Sequence, residues 1–343
     1  MKWFEHTDQT DPDIISSRIR LVRNLDACKF PSKLSEEESR DMVTRLEYGL
    51  KDMSDDQGSR YRYVQLGDLS DLDRQALRER RILNSTIAEK KTPVGMLLSK
   101  DESVSLILNG EDHIRLQLLS TGLCLEELWE KADEIDDEIN EKFTYAYDEK
   151  YGYLTAYPTN VGTGLRASVM LHLPCLSQRK KFNSLLGDMG RFGTSVKGVY
   201  GEGSEAPGAL YVVSNQKTLG LSEKEIVAQV MKAALQLSKA ERQMRQLSLE
   251  KHRIERADEA YKSYGMLKYA RQLHGKDAML LLSHLMAGIS DGLVETEAPC
   301  SIYRLMLGIQ TANLQKLSDR PMNKEELAQA RAAYLRAELP ELK

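Results

Sequence analysis

Three stretches alternate arginine or other polar residues with aliphatics: Ser16-Ser17-Arg18-Ile19-Arg20-Leu21, His113-Ile114-Arg115-Leu116-Gln117 and Arg166-Ala167-Ser168-Val169-Met170-Leu171-His172-Leu173. Side chains of a strand point alternately to opposite faces. Each stretch can therefore pack one face on a core and offer guanidinium groups, or His172, from the other. If the strands are neighbours in one sheet, Arg18, Arg20, Arg115 and Arg166 converge. Like charges gather where an anion neutralises them, and the planar guanidinium fork matches the oxygens of a triphosphate. Alternation alone is also met by arginines solvated on an open sheet face. Two carboxylates add to the pattern: Glu111 in Asn109-Gly110-Glu111-Asp112-His113, and Glu202 in Gly201-Glu202-Gly203-Ser204. A lone loop glutamate is ordinarily just solvated. Paired beside an arginine cage, two of them suit a cationic substrate facing an anionic donor.

Other signatures are missing. There is no GxxxxGK[ST], no GxGxxG between strand and helix, no kinase HRD or DFG set and no nucleophile triad. Gly162-Thr163-Gly164 and the Gly201–Ser204 loop could bring backbone N–H groups to phosphates, although short glycine-rich loops are usually only turns. With 48 Lys and Arg against 52 Asp and Glu, the net charge of -4 lacks the basic surplus of a duplex-DNA binder. The longest apolar run, 278–289, is shorter than the roughly 18 residues a membrane helix needs. Met1-Lys2-Trp3-Phe4-Glu5 lacks a basic segment followed by an apolar one, so no signal peptide is expected. Cys28, Cys124, Cys175 and Cys300 are widely spaced, which indicates neither zinc site nor disulfide framework. The expectation is a reduced, cytoplasmic protein with no membrane segment and no direct nucleic-acid partner.

A chain of 343 residues suggests about two domains. Ser35-Glu36-Glu37-Glu38 has capping-box spacing and opens a helix to about residue 53. Strands are expected over 61–66, 94–98 and 104–109, the last two as a hairpin, and a charged helix over 69–83. Leu125, Leu128, Trp129, Ala132, Ile135 and Ile139 carry the 3.6-residue period of an amphipathic helix. Strands follow over 144–147, 151–156, 166–173, 194–200 and 209–213, with a helix over 178–192. From Ser222 the pattern is helical, with breaks at Tyr264-Gly265 and Gly275. The fold class expected is α+β: an antiparallel sheet flanked by helices over residues 1–255, then a helical domain over 256–343.

Five ordered stretches resemble the phosphagen kinase (ATP:guanido phosphotransferase) superfamily, in its bacterial protein-arginine kinase branch. They are Ser16-Ser17-Arg18-Ile19-Arg20-Leu21-Val22-Arg23-Asn24, Asn109-Gly110-Glu111-Asp112-His113-Ile114-Arg115, Pro158 through Met170, Gly198-Val199-Tyr200-Gly201-Glu202-Gly203-Ser204-Glu205, and Ser214 through Gly220. Kinases of small guanidino compounds carry a helical domain ahead of the first stretch. Here that stretch begins at residue 16, and the helical region follows instead, as in the protein-directed branch. The resemblance implies transfer of the γ-phosphoryl of Mg-ATP to arginine side chains of proteins, with no metal ligands assigned to the protein. It implies Glu111 and Glu202 as the carboxylates holding the guanidinium. For ATP it implies Ser16, Ser17, Arg18, Ile19, Arg20, Arg115, Arg166, Ala167, Ser168, Val169, Met170, Lys197, Gly198, Val199, Tyr200, Gly201 and Glu202. The family also implies a homodimer, a zinc-binding activator protein, a heat-shock repressor, and an AAA+ protease that reads phosphoarginine as a degradation mark under stress.

The chain departs from the family pattern at several positions. Gly110 stands where a first glutamate is usual, Tyr157 where a cysteine is, and Lys197 where an arginine is; Arg81 aligns with a nucleotide-contacting histidine. Of the phosphoarginine-sensing motif RDxxRA, the stretch Leu327-Ala328-Gln329-Ala330-Arg331-Ala332 keeps only the last two residues. Weak or absent activation by phosphoarginine is therefore expected. Two alternatives accompany the kinase reading: a catalytically impaired scaffold of the same fold, which would leave no label on protein from radiolabelled ATP, and a kinase of a free guanidino metabolite.

Overall fold

The computed structural model describes residues 1–6, 11–55, 58–191, 193–199 and 206–343. Strand β1 (Ile14–Arg23) leads to helix α1 (Glu36–Leu50). The capping box read from the sequence is present, with Ser35 accepting from the Glu38 amide, while Met42, Val43, Leu46 and Leu50 bury one stripe. After β2 (Arg62–Gln65), the helix expected over 69–83 is present but shorter, α2 (Asp71–Glu79), and a further short one that was not expected follows, α3 (Ser85–Glu89). Ser70 caps the first and Asn84 the second, and Arg81, at φ +69°, turns the chain between them. Strands β3 (Gly95–Leu98) and β4 (Val104–Leu108) form the expected antiparallel hairpin. Asp101 closes it, its Oδ1 accepting from Ser99 Oγ at 2.6 Å and from the Ser103 amide at 3.1 Å.

Next come β5 (Ile114–Thr121), α4 (Leu125–Lys142), and the short strands β6 (Tyr147–Asp148) and β7 (Gly152–Tyr153). They are followed by β8 (Leu165–His172), α5 (Phe182–Arg191), β9 (Thr194–Gly198), β10 (Leu210–Asn215), α6 (Glu223–Tyr269) and α7 (Gly275–Ser290). Helices α8 (Ile302–Gly308), α9 (Thr311–Gln315) and α10 (Lys324–Glu338) complete the chain. Eight strands hydrogen-bond in the order β2-β3-β4-β5-β1-β8-β10-β9, and β6 pairs with β7. This is the α+β class expected, with a helical C-terminal part. The chain divides into two compact units: one of Met1–Trp3, Ser16–Ser168 and Ser214–Met231, the other of Phe4–Ile15, Val169–Val213 and Lys232–Lys343.

In the first unit, β1 and β5 are antiparallel, with Arg20 opposite Gln117 and Val22 opposite Arg115. Facing residues share a side of the sheet, so Arg18, Arg20, Arg115 and Gln117 lie together. Farther along, that same face is apolar: Met96, Leu98 and Ile107 join Leu66, Leu77, Ile82 and Ile87 in one buried cluster. The opposite face packs on α4, whose predicted stripe of Leu125, Leu128, Trp129, Ala132, Ile135 and Ile139 is buried. There Arg23 is paired with Asp136 at 2.7 Å, and its guanidinium lies 3.6 Å from the Tyr153 ring centre.

In the second unit, α6 runs without interruption through Tyr264-Gly265, where a break was expected, and its one non-helical residue is His252. The ~1 kcal/mol that glycine costs a helix is offset by tertiary contacts. Tyr264 Oη donates to Pro340 O at 3.1 Å, Lys268 Nζ donates to Leu339 O at 2.8 Å, and Leu267 is fully buried. Arg245 bridges Asp13 and Asp291, which also accepts from Arg256 at 2.7 Å. His172 is fully buried, with Nε2 2.7 Å from Ser283 Oγ, so it is part of the interior and is not offered to a ligand.

Burial holds two imidazoles neutral: it lowers His172 to about 3 and His113, whose Nδ1 accepts the Leu25 amide at 3.1 Å, to about 4. Below pH 6.5 the unfolded chain takes up protons that these folded imidazoles refuse, so their contribution to stability falls as pH drops towards 4. Asp13 and Glu241, raised by burial to about 6 and about 7, act in the opposite sense. The histidine contribution is therefore read as a difference. In His113→Asn the amide oxygen can replace Nδ1 as acceptor. Relative to that variant, the wild type is expected to lose as much as ~3 kcal/mol between about pH 6.5 and pH 4, measured by urea denaturation across the range.

Candidate active site

The arginines of the three alternating stretches do come together. Arg18 is half-buried, its Nε donating to Ser168 Oγ on β8 at 3.1 Å, and Arg166 Nη2 donates to Ser214 Oγ on β10 at 3.2 Å. Arg115 is buried, its Nη2 donating to Ile82 O at 3.2 Å. Arg18 lies within the electrostatic reach of Arg81, Arg20, Arg115 and Arg166, so five guanidinium groups share one region of the first unit. Burial first, and then these like charges, hold Arg18 well below the usual arginine range. Burial and Arg20 bring Arg115 down to about 10. Burial lowers Arg20 too, with Arg166 adding to the effect and Glu111 and Asp112 opposing it. Arg20 Nε and Arg115 Nε are buried with no hydrogen-bond partner among the described residues. Orphaned buried donors in a crowd of cations fit a multiply charged anion; a triphosphate supplies both the charge and the acceptors.

Beside the cage is the acidic turn. Glu111 Oε2 accepts from Asn84 Nδ2 at 3.1 Å and lies 3.9 Å from Arg115 Nη1. Buried Asp112 accepts from Asn24 Nδ2 at 2.7 Å and from the Ala156 amide at 2.6 Å, tying the segment that precedes Tyr157 to the turn. Burial raises Asp112 above the usual carboxylate range against those hydrogen bonds. Asn24 Oδ1 accepts the His113 amide at 2.9 Å, and Asn109, at φ +59°, anchors its Nδ2 on Pro93 O at 3.1 Å. The turn is thus fixed at both ends by side chains that sequence spacing alone does not connect. Gly110 has a local cause: a Cβ there would stand 2.9 Å from Ile87 Cδ1 and 3.0 Å from Ile107 Cγ2, both in the packed cluster.

Other expected site residues divide by face and by unit. Buried Ser16 has the strand parity of Arg18 and Arg20. Ser17 and Ile19 turn to the α4 side, where Ser17 Oγ donates to Gly122 O at 2.8 Å and accepts the Cys124 amide at 3.1 Å. On β8, Ala167 and Val169 have the parity opposite to Arg166 and Ser168, and buried Met170 shares the latter's. Lys197 is exposed on β9, followed by Gly198 and Val199, in the second unit. Tyr200, Gly201 and Glu202 lie outside the described residues. Asn84, Asn24 and Asp112 were not assigned to the site, and Arg81 was noted only as aligning with a nucleotide-contacting histidine. Asn24 and Asp112 fall within the family-like stretches, and Asn84 carried a local signal, Asn-Ser before a short helix, that speaks for a cap. Among the described residues no group of three or more His, Cys, Asp or Glu could hold a metal ion, and no helix is long and apolar enough to cross a membrane.

Residues 41–244 match the family of the ATP:guanido phosphotransferase C-terminal catalytic domain, and residues 253–343 match the protein-arginine kinase McsB C-terminal domain. Among solved structures, the duplicated taurocyamine kinase of Schistosoma mansoni, with bound transition-state-analogue components, superposes with a TM-score of 0.62 at 23% identity, covering 72% of this chain and 37% of that one. A lombricine kinase gives 0.60 at 24% identity, covering 72% and 70%. At such identities these establish the fold, that of a phosphagen kinase. The protein-arginine kinase of Halothermothrix orenii is 40% identical over 95% of this chain and 93% of its own. That of Clostridium acetobutylicum is 37% identical over 99% and 100%. The chain belongs to the protein-arginine kinase family of ATP:guanido phosphotransferases.

Since a β-carbon at position 110 meets two buried isoleucines, Gly110→Ala is expected to destabilise the protein by about 1–3 kcal/mol, the usual cost of overpacking, as measured by urea denaturation.

Proposed function

We propose that this protein is a protein-arginine kinase: it transfers the γ-phosphoryl group of Mg-ATP to arginine side chains of protein substrates. The carrying observation is the electrostatic shape of the site, five crowded arginines with orphaned donors on one side and Glu111 on the other. The substrate guanidinium is protonated and has no lone pair for phosphorus. Glu111 orients it and accepts its proton as the N–P bond forms and the bond from the γ-phosphorus to the β–γ bridging oxygen breaks, so that ADP leaves. Arg18, Arg20, Arg115 and Arg166 neutralise the oxygens of a loose, metaphosphate-like transition state, which is where fixed positive charge accelerates the reaction. Mg²⁺ arrives as part of the nucleotide substrate, on its phosphate oxygens.

By resemblance, Glu202 is the second carboxylate on the guanidinium, and the segments 16–20, 166–170 and 197–202 belong to the nucleotide site. Residues 256–343 serve as the protein-binding and dimer-forming domain. The cellular setting that accompanies this reading is cytoplasmic stress-related proteolysis, with the homodimer, zinc-binding activator, heat-shock repressor and AAA+ protease of the family as partners. The altered sensing motif supports a kinase that phosphoarginine does not activate. Of its two retained residues, Arg331 is buried, with Nε donating to Ile309 O at 3.0 Å and Nη1 to Leu273 O at 2.9 Å, so that its guanidinium bonds the fold's own carbonyls.

Incubated with ATP and an unfolded arginine-rich protein, the wild type is expected to leave acid-labile phosphoarginine detectable by mass spectrometry. Glu111→Gln is expected to lower the rate by a factor of ~10²–10⁴, the usual worth of a positioned general base. No phosphoarginine from the wild type would defeat the proposal in favour of a scaffold, and turnover of free arginine alone would favour a metabolite kinase. Added free phosphoarginine is expected to change the initial rate by less than about twofold, read in the same assay; a several-fold rise would return the sensing role to the 327–332 stretch.

A further inference from the structure

We infer that Asn84 is a positioning residue for Glu111, holding its carboxylate away from the arginine cage and open to the substrate guanidinium. The inference rests on the reading of Glu111 given above. The Asn84 amide is used at both ends: Oδ1 accepts the Ile87 amide at 2.8 Å as the cap of α3, and Nδ2 donates to Glu111 Oε2 at 3.1 Å. The opposite amide orientation would set –NH₂ against an N–H and oxygen against a carboxylate, so the two partners fix this one. The turn carrying Asn84 is itself held from β5, where Gln117 Nε2 donates to Arg81 O at 2.9 Å and Arg115 Nη2 to Ile82 O at 3.2 Å. Asn84 thus approaches Glu111 from a turn referenced to the strand that bears Arg115.

The competing partner is Arg115 itself. Its Nη1 is 3.9 Å from the same Oε2, too far for a hydrogen bond and near enough for attraction to draw the carboxylate in. A Glu111 closed onto Arg115 would have its charge satisfied by the enzyme and would be a poor acceptor for a substrate guanidinium. Asn84 prevents this with a neutral donor, which orients the oxygen and leaves its charge for the substrate. Both polar contacts of Glu111 among the described residues fall on Oε2, so Oε1 has no hydrogen bond or ion pair there, while Arg20 and Lys90 act on the carboxylate from within electrostatic reach.

Serine at 84 would still cap α3 but is too short to reach Glu111; aspartate would cap it and set a like charge against the carboxylate. Asn84→Ser is expected to keep the thermal midpoint within about 2 °C and the KM for ATP within about twofold. Its kcat/KM for an arginine-bearing peptide should fall about tenfold, the worth of one hydrogen bond to a charged group. Asn84→Asp, which keeps the cap but sets a like charge against the carboxylate, should lower the same kcat/KM at least as far, again with the KM for ATP within about twofold. A helix cap alone would not produce a loss confined to the arginine-bearing substrate. Glu111→Gln is assayed alongside. If that variant is inactive while Asn84→Ser and Asn84→Asp keep wild-type kcat/KM, the role of Asn84 is refuted on its own. If Glu111→Gln retains activity, the reading of Glu111 fails first.

Discussion

Mutual repulsion among buried guanidinium groups is the constraint that organises the first unit. Charges of one sign within a few ångströms of each other, in a region with little water, destabilise a fold unless something rigid holds them and something mobile neutralises them. The rigid part is the sheet: β1, β5 and β8 fix the Cα positions of Arg18, Arg20, Arg115 and Arg166, and ladder hydrogen bonds prevent the strands from splaying. Serine hydroxyls from β8 and β10 and the carbonyl of Ile82 occupy some N–H groups. The remaining orphaned donors on Arg20 and Arg115 describe a site whose stability is completed by its ligand.

Strand β1 shows how one residue type serves two purposes. Arg18 and Arg20 face the cage, whereas Arg23, of opposite parity, is sealed on the α4 side by Asp136, by the Thr163 carbonyl at 2.9 Å and by the Tyr153 ring. Neither of the first pair has an ion pair among the described residues, whereas Arg23 is matched by Asp136 at 2.7 Å. Alternation in the sequence separates the faces, but it does not reveal which face meets a carboxylate. That depends on Asp136, 113 residues away along the chain.

Legibility from the sequence followed the range of the interaction. The capping box at Ser35, the stripe of α4, the β3–β4 hairpin and the strand parity of the arginines are local patterns, and each is present. The break expected at Gly265 failed because residues 339–341 pack against that turn of α6, and glycine's weak local preference yields to such contacts. The burial of His172 depended on Ser283, and the fixing of the acidic turn depended on Asn24 and Asn84. Arg81 joins the cage through a left-handed backbone turn that interrupts an otherwise helical sequence. None of these has a periodic signature.

The cage also has a direction. Burial and then four other arginines are the leading causes of the shift at Arg18. Arg20 and Arg115 feel Glu111 and Asp112 as well. Moving along β1 from 18 to 20, and across to 115, carboxylates thus enter among the leading influences, and the series ends at Glu111. A uniformly basic pocket would bind a polyanion and repel a guanidinium, while a balanced one would hold neither firmly. On the function proposed here, such a gradient suits both reactants: the more positive end would favour the anionic donor and the acid end the cationic acceptor. It survives only while Glu111 is kept from collapsing onto Arg115, which makes the geometry of one short turn as consequential as the arginines themselves.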